Sequence, residues 1–594
     1  MLIFPGLAEP AGERTCRLVL MEDEGFTADC YTLAVPRLST AEFTLTLEEG
    51  YVLDGCDDPA FQILHATDGT IRLVLPEVRY TQAVHLLLHA SPAVIRYMAN
   101  GGQRHDGGDP EEAVVMPASA AHIRPNTDTG RLFYRDGFTL TGWNTSPDGT
   151  GARTGLGSRV NADKNPMLYA IWQKWTDPEA FEVTSFRDGW AIVSCRSPDE
   201  TVCVPETIDG LPVRAILSGA FRDAPLRELV LPPSLQVLEN SAFTHASVRT
   251  VTVSDTLLSF SDYAFEDCPD FQTLQINAVL PPVYSGTYYD VFCDKMDRLM
   301  QLEDQPKLVL FSGSSARFGY DSAAIDAAFP EMDVVNMGVF AYTNALPQLD
   351  LIRRFMHAPD ILVHSPEFDA SQRQFCVFST LDEAFFKMIE GNYDLLSLLD
   401  LRDYGQVLTA FHSFLRSRDG MDARSYDVSP GDYDEDGNPV PESSYNSYGD
   451  YVVFRPNSPD DSPVYGLPVR YTPQAFPREA LIEPLNRVYR TFLDLGIRVY
   501  FTYSPRNRLA LSEDSTEEAI RAMDDHLRAC LCVPVITHPL DSLYRGMYLY
   551  GTDNHLSTEG VQMHTRALID ALSGQLRMEN GQASQDETEK EETP

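Results

Sequence analysis

The chain has 594 residues, 87 of them acidic and 46 basic, for a formal net charge of −41. That length exceeds what one core supports and predicts about four domains. The charge repels nucleic acid and anionic membrane surfaces, which excludes nucleic-acid binding. No run reaches the roughly 18 apolar residues of a spanning helix, so no membrane span is predicted. The 10 cysteines are too sparse for a disulfide framework and read as buried thiols, the Cys530-x-Cys532 pair included, with a Cys195–Cys203 bridge between neighbouring strands as the alternative in an oxidising compartment.

The N-terminal segment MLIFPGLAEPAGERTC has neither a basic n-region nor a sustained apolar run, so no signal peptide is visible. Up to residue 92 the pattern is alternating and turn-rich, as in RLVLMEDEGFTADCYTLAV, and predicts a small β-rich domain over 1–92. Next come VIRYMANGG, then YRDGFTLTGWNTSPDGTGARTGLGSRV, then LYAIWQKW. These pieces resemble the internalin-type β-grasp repeat of bacterial surface proteins, which places such a module at 93–175. Phe138, Leu140, Trp143, Tyr169 and Trp172 supply the large apolar area that a small β domain needs.

Ala220-Phe221, Ala242-Phe243 and Ala264-Phe265 recur every 22 residues. Each pair is trailed by an apolar trio: Leu226, Leu229 and Leu231; Val248, Val251 and Val253; Phe271, Leu274 and Ile276. A period in the twenties with a strand-like core per unit marks a leucine-rich solenoid, set at 179–283 with about three units. The segment resembles the bacterial surface-antigen type of leucine-rich repeat. So short a solenoid suits a spacer or docking module for a protein or glycan ligand.

Over 300–578 the texture changes to apolar runs (KLVLF, DVVNMGVF, DILVHSP, IRVYFTYSP and CVPVITHP) separated by amphipathic stretches such as LIEPLNRVYRTFLDLG. That alternation predicts a parallel sheet between helices. Within it, 424–465 is rich in Asp, Ser, Pro, Gly and Tyr and reads as a loop or lid. Asp432, Asp434, Asp436 and Gly437 match the start of a calcium loop, but position twelve is Ser443, so a solvated acidic turn is expected and no metal site. Residues 579–594 read as a disordered acidic tail.

KLVLFSGSSARFGYDS breaks from a buried strand into a small-residue loop, and in such sheets the C-terminal strand ends carry the chemistry. Serine catalysis needs an exposed nucleophile, a histidine base, a carboxylate orienting it and donors for the oxyanion. Ser314 lies on that loop, and Asp553 and His555 stand two apart on the loop before the last helix. His538, with Asp541 nearby, is a rival base at the end of a strand-like run.

Four blocks in order, KLVLFSGSSARFGYDS, VVNMGVFA, APDILVHSPEF and TDNHLSTEG, resemble the SGNH (GDSL-type) hydrolase and acyltransferase superfamily. The resemblance implies a three-layer, flavodoxin-like α/β domain and a serine esterase or O-acyltransferase without a cofactor. Its substrate would be a small ester or an acylated glycan. It implies Ser314 as nucleophile, with Ser315 as the alternative under a shorter spacing, His555 as general base and Asp553 as its partner. The backbone N–H groups of Ser314 and Gly338 would be the oxyanion donors. Two departures stand out: the third block ends His364-Ser365-Pro366-Glu367, where the family keeps an asparagine donor, and Ser312 replaces a glycine. A degenerate domain in a non-catalytic surface adhesion protein is therefore the alternative. The whole is read as multidomain, with N-terminal all-β modules, a short solenoid and then the α/β domain. By resemblance it is placed at the cell surface or outside the cell.

Overall fold

The computed structural model describes residues 15–591 apart from 22–24, 49–50, 57, 59, 67–69, 79–80, 91–92, 106, 117–121, 124–132, 162–165, 281, 285–286, 288, 370–376, 419–444 and 459–464. It divides into two compact units: residues 1–123, 143–153 and 159–171, and residues 124–142, 154–158 and 172–594.

In the first unit, four antiparallel strands run in the order Phe26–Ala28, Ala41–Leu47, Ile71–Leu75, Gln62–His65. Alternation explains the sheet: Ala41, Phe43 and Leu45 share its buried face with Ile71, Leu73 and Leu75, while the residues between them are more exposed. A second sheet of Thr32–Pro36, Thr15–Leu20 and Gln82–Val84 adds Leu18 and Leu20 to the same core. Elsewhere in this unit Ala93–Met98 pairs antiparallel with Glu111–Met116. Tyr97 meets Trp143 edge to face at 4.8 Å, both fully buried.

Within the 93–175 span, residues 133–142 and 154–158 group with the C-terminal unit. Hydrogen bonds explain the grouping: Gly155 N–H donates to the Asp394 carboxylate, and Asn277 Nδ2 donates to the Leu140 carbonyl. Of the five apolar residues predicted as its core, Trp143 is buried, whereas Phe138, Leu140, Tyr169 and Trp172 are half-buried. Strand alternation buries Leu168 and Ala170 in place of Tyr169.

In the second unit, β1 (Thr201–Cys203), β2 (Glu228–Val230), β3 (Thr250–Ser254) and β4 (Thr273–Asn277) stack as a parallel sheet. This makes four rungs where three were read, because β1 lacks the Ala-Phe signature. Leu229, Val251 and Leu274 stand in register and are buried. Behind them Phe221, Phe243, Phe265 and Phe271 form a ring stack with centroids 4.9, 4.7 and 4.7 Å apart. Each rung thus covers its neighbour's apolar face, which is why the repeat folds as an array.

The solenoid is fused to the α/β part and is not a free spacer. The Asp262 carboxylate accepts from the Leu408 and Thr409 N–H groups at the start of a helix, and buried Arg418 on that helix pairs with Asp255 at 3.3 Å and Glu390 at 3.0 Å.

In the α/β part, β5 (Lys307–Phe311), β6 (Asp333–Asn336), β7 (Ile361–His364) and β8 (Arg498–Phe501) form a parallel sheet in the order β6-β5-β7-β8. Every residue of β5 and β7 is buried, as a sheet covered on both faces requires. Val309, Phe311, Leu362 and Phe501 face one helical layer. Leu308, Leu310, Val363 and Tyr500 face Leu568 and Leu572 of the last helix. A buried Lys307–Asp360 pair at 2.8 Å ties the starts of β5 and β7. The run CVPVITHP is not a fifth strand, since only a single bridge joins Val535 to Phe501.

The calcium-like stretch and the rest of 424–444 lie outside the described residues; 445–458 is a loop, as expected, which buries Asp450, Tyr451 and Arg455 and exposes Val452 and Phe454. The acidic tail from 579 is helical through Glu591 as part of Thr558–Glu591, consistent with a Glu-, Lys- and Gln-rich composition that favours helix. Cys195 and Cys203 are free thiols.

Candidate functional site

The β5 strand ends at Phe311, and Gly313 precedes a one-turn helix, Ser314–Arg317. Gly313 allows the turn to pass closely, since a Cβ there would lie 2.5 Å from Glu367 Oε1 and 2.8 Å from the Ala341 N. Ser314 is partly exposed and Ser315 fully buried. The loop before the last helix brings His555 Nε2 to 2.7 Å from Ser314 Oγ, across 241 residues of sequence. Hydrogen-bond reach between a hydroxyl and an imidazole is the geometry that nucleophile activation needs.

Asp553 does not orient that histidine. Its buried carboxylate accepts from the Tyr465 N–H at 3.0 Å, the Gly466 N–H at 2.8 Å and Asn507 Nδ2 at 3.3 Å. Among the described residues no hydrogen bond or ion pair joins a carboxylate to the His555 ring. The expected Asp–His pair is therefore replaced by a loop clamp, because Asp553 is turned toward three donors. Burial, reinforced by the nearby cations Arg317 and Arg455, pushes the His555 pKa down to about 3, so the ring is neutral at pH 7. Phe318 packs 4.2 Å from the imidazole, with both guanidiniums over its ring at 4.9 and 5.4 Å.

Glu367 lies beside Ser314. Its Oε1 accepts from the Ser315 N–H at 2.6 Å and lies 3.2 Å from Ser314 Oγ, and its Oε2 accepts from Asn554 Nδ2 at 2.7 Å. Burial raises this carboxyl above the ordinary range, against hydrogen bonds from Ser315 and Ser314 and the charge of Arg506. Asn554 Nδ2 also donates to Ser315 Oγ at 3.0 Å, so Ser315 is held by an amide and Ser314 by the histidine.

Gly338 packs against the Ser314–Arg317 turn, where a Cβ would stand 2.6 Å from the Arg317 N. Its own N–H is already donated to Asn336 Oδ1 at 2.9 Å, so it is not an open oxyanion donor in this state. Its carbonyl accepts from buried Lys295 Nζ at 2.5 Å, and Lys295 also reaches the Gly449 carbonyl at 2.7 Å. Burial lowers the Lys295 pKa to about 7. Asp450 completes this layer, accepting from Asn336 Nδ2, the Ser322 N–H and Ser322 Oγ.

Sequence reading missed Asn554, Lys295 and Asp450. Asn554 stands between the two residues singled out on its loop, which was the available signal. Lys295 and Asp450 carry none, since only folding buries them. The rival base His538 lies instead on a cavity of about 260 Å³ with Tyr320, Asp541 and His564, and its Nδ1 accepts from the Leu540 N–H. Among the described residues no three His, Cys, Asp or Glu side chains converge to hold a metal, and no helix is long and apolar enough to cross a membrane.

A family model, the BspA type leucine rich repeat region, matches residues 213–297 in six copies. A solved structure, the crystal structure of the T. pallidum leucine rich repeat protein, is similar at 21% identity with a TM-score of 0.12, covering 18% of this chain and 72% of that one. No curated protein matches the chain. The chain therefore carries leucine-rich repeats of the BspA type, ahead of an α/β part.

Proposed function

We propose that the α/β part is an SGNH-like serine esterase or O-acyltransferase, presented by internalin-type and leucine-rich modules of a bacterial surface protein. The observation that carries this reading is the 2.7 Å approach of His555 Nε2 to Ser314 Oγ at the C-terminal edge of a parallel sheet. Ser314 Oγ attacks an acyl carbonyl, its proton passes to neutral His555, and the tetrahedral oxygen collapses to an acyl-serine as the alcohol leaves with that proton. Water or a sugar hydroxyl then takes the acyl group. Asn554 Nδ2, on the histidine loop, donates to Ser315 Oγ and Glu367 Oε2, and would have to release one of them to act as the amide donor that the family's third block supplies. The repeat region supports a role in protein or glycan contact at the surface.

The test is hydrolysis of nitrophenyl acetate by the full chain. Turnover that is lost in Ser314→Ala and in His555→Ala supports the reading, and turnover unchanged in both removes it. Glu367 in the donor position and Asp553 turned away from His555 favour a second reading, an adhesion protein whose α/β part is a scaffold. That reading predicts no turnover in the wild type.

A further inference from the structure

The segment after β8 borders all three loops of the site. Ser504 Oγ donates to the Pro366 carbonyl at 3.0 Å, beside Glu367. Pro505 lies 3.8 Å from where a Cβ on Gly319 would stand, at the end of the nucleophile turn. Asn507 donates through its N–H to the Asp553 carbonyl at 2.7 Å, on the histidine loop. Arg506 sits in the middle of this segment and is only 8% exposed.

Its guanidinium has no hydrogen bond or ion pair among the described residues, and Nε is fully buried without a partner. Buried arginine is ordinarily paired, because an isolated charge out of water is costly and the planar fork is built for a carboxylate or phosphate. Its charge bears on Glu367 and on the buried Tyr471 hydroxyl. Glu367 is already engaged by Ser315 and Asn554. The cation thus sits on the segment that borders the Ser314, Glu367 and His555 loops, with no hydrogen-bond partner for its Nε.

We propose that Arg506 forms an anion subsite next to Ser314, so that the ester turned over carries a carboxylate. This rests on Ser314 being the nucleophile. The carboxylate can stand on either side of the ester bond, on an acidic sugar that bears the acyl group or on a dicarboxylic acyl group itself. A neutral short-chain ester leaves the guanidinium unpaired and is the poorer substrate for that reason.

The experiment is protection of the full chain against a fluorophosphonate by equal concentrations of glucuronate, succinate or glucose. Glucuronate or succinate slows labelling by about tenfold or more, the scale of a charged hydrogen bond, while glucose does not. Protection by glucuronate places the carboxylate on the sugar side, and protection by succinate places it on the acyl side. Arg506→Met abolishes the protection and Arg506→Lys retains part of it. Equal labelling with all three compounds, or full protection in Arg506→Met, overturns the subsite. If the wild type takes no label, the nucleophile reading fails by itself. Calorimetric titration with the two acids, which needs no nucleophile, then decides the subsite: heat in the wild type but not in Arg506→Met sustains it, and heat in neither overturns it.

Discussion

The Ser315 N–H donates to Glu367 Oε1 at 2.6 Å, so a buried carboxyl occupies the position beside the candidate nucleophile. Its ionisation state sets what the site can do. As a carboxylate it repels the oxyanion that forms on attack, and as a neutral acid it can donate a hydrogen bond to it.

Burial raises the Glu367 pKa, so turnover is expected to fall as pH rises through that value. In Glu367→Gln this decline disappears from the pH–rate profile. The sign for stability follows from the same shift. A raised folded-state pKa contributes stability fully present below the unfolded value of 4.5 and lost as pH rises through the folded one. Glu367→Gln should therefore unfold at a higher temperature than wild type at pH 8, by thermal melts, and by a smaller margin at pH 4.

Asp553 clamps the Tyr465 and Gly466 N–H groups and Asn507, and does not touch His555. Asp553→Asn is thus expected to destabilise the fold by about 1–3 kcal/mol, the cost of unsatisfied buried donors. Its effect on turnover should stay well short of the roughly 10⁴-fold loss caused by removing a true triad carboxylate. Denaturant titration and steady-state kinetics on one sample separate the two effects.

Phe243 is the middle ring of the solenoid stack, with neighbours on both sides at 4.9 and 4.7 Å. Phe243→Ala leaves a cavity that adjacent rungs cannot close, and about 3–5 kcal/mol of destabilisation is expected. Calorimetry checks this. Because the Asp262 carboxylate ties the solenoid to the 407–418 helix, the melt should shift as one transition.

His364 is fully buried with Nδ1 2.7 Å from Tyr489 Oη, and burial lowers its pKa from 6.5 to about 3. A depressed pKa contributes stability present above 6.5 and lost as pH falls toward 3. The wild type's advantage over His364→Gln should narrow as pH falls from 6.5 to 4, measured by melting temperature at several pH values.

The repeat was legible because its signal is local and periodic: Ala242-Phe243 and its apolar trio specify one rung without reference to the rest of the chain. The β5 to β8 runs were legible for the same reason, as was the placing of Ser314 at a strand end. What sequence could not show is which way a polar side chain turns once its loop is packed. Asp553 and His555 stand two apart, yet the carboxylate is drawn to the amides of 465 and 466, a contact across 87 residues or more. Gly338, expected as an oxyanion donor, packs against the Ser314–Arg317 turn, but its N–H is taken by Asn336, two residues earlier. Glu367 read as a missing asparagine, and only the fold shows that it takes up the amide of Ser315.

Whether Ser314, activated by His555, is the nucleophile is decided by fluorophosphonate labelling of the full chain followed by peptide mass spectrometry. One phosphonyl adduct is expected on Ser314, retained in Ser315→Ala and absent in His555→Ala. An adduct on Ser315, or none on the wild type, would contradict it.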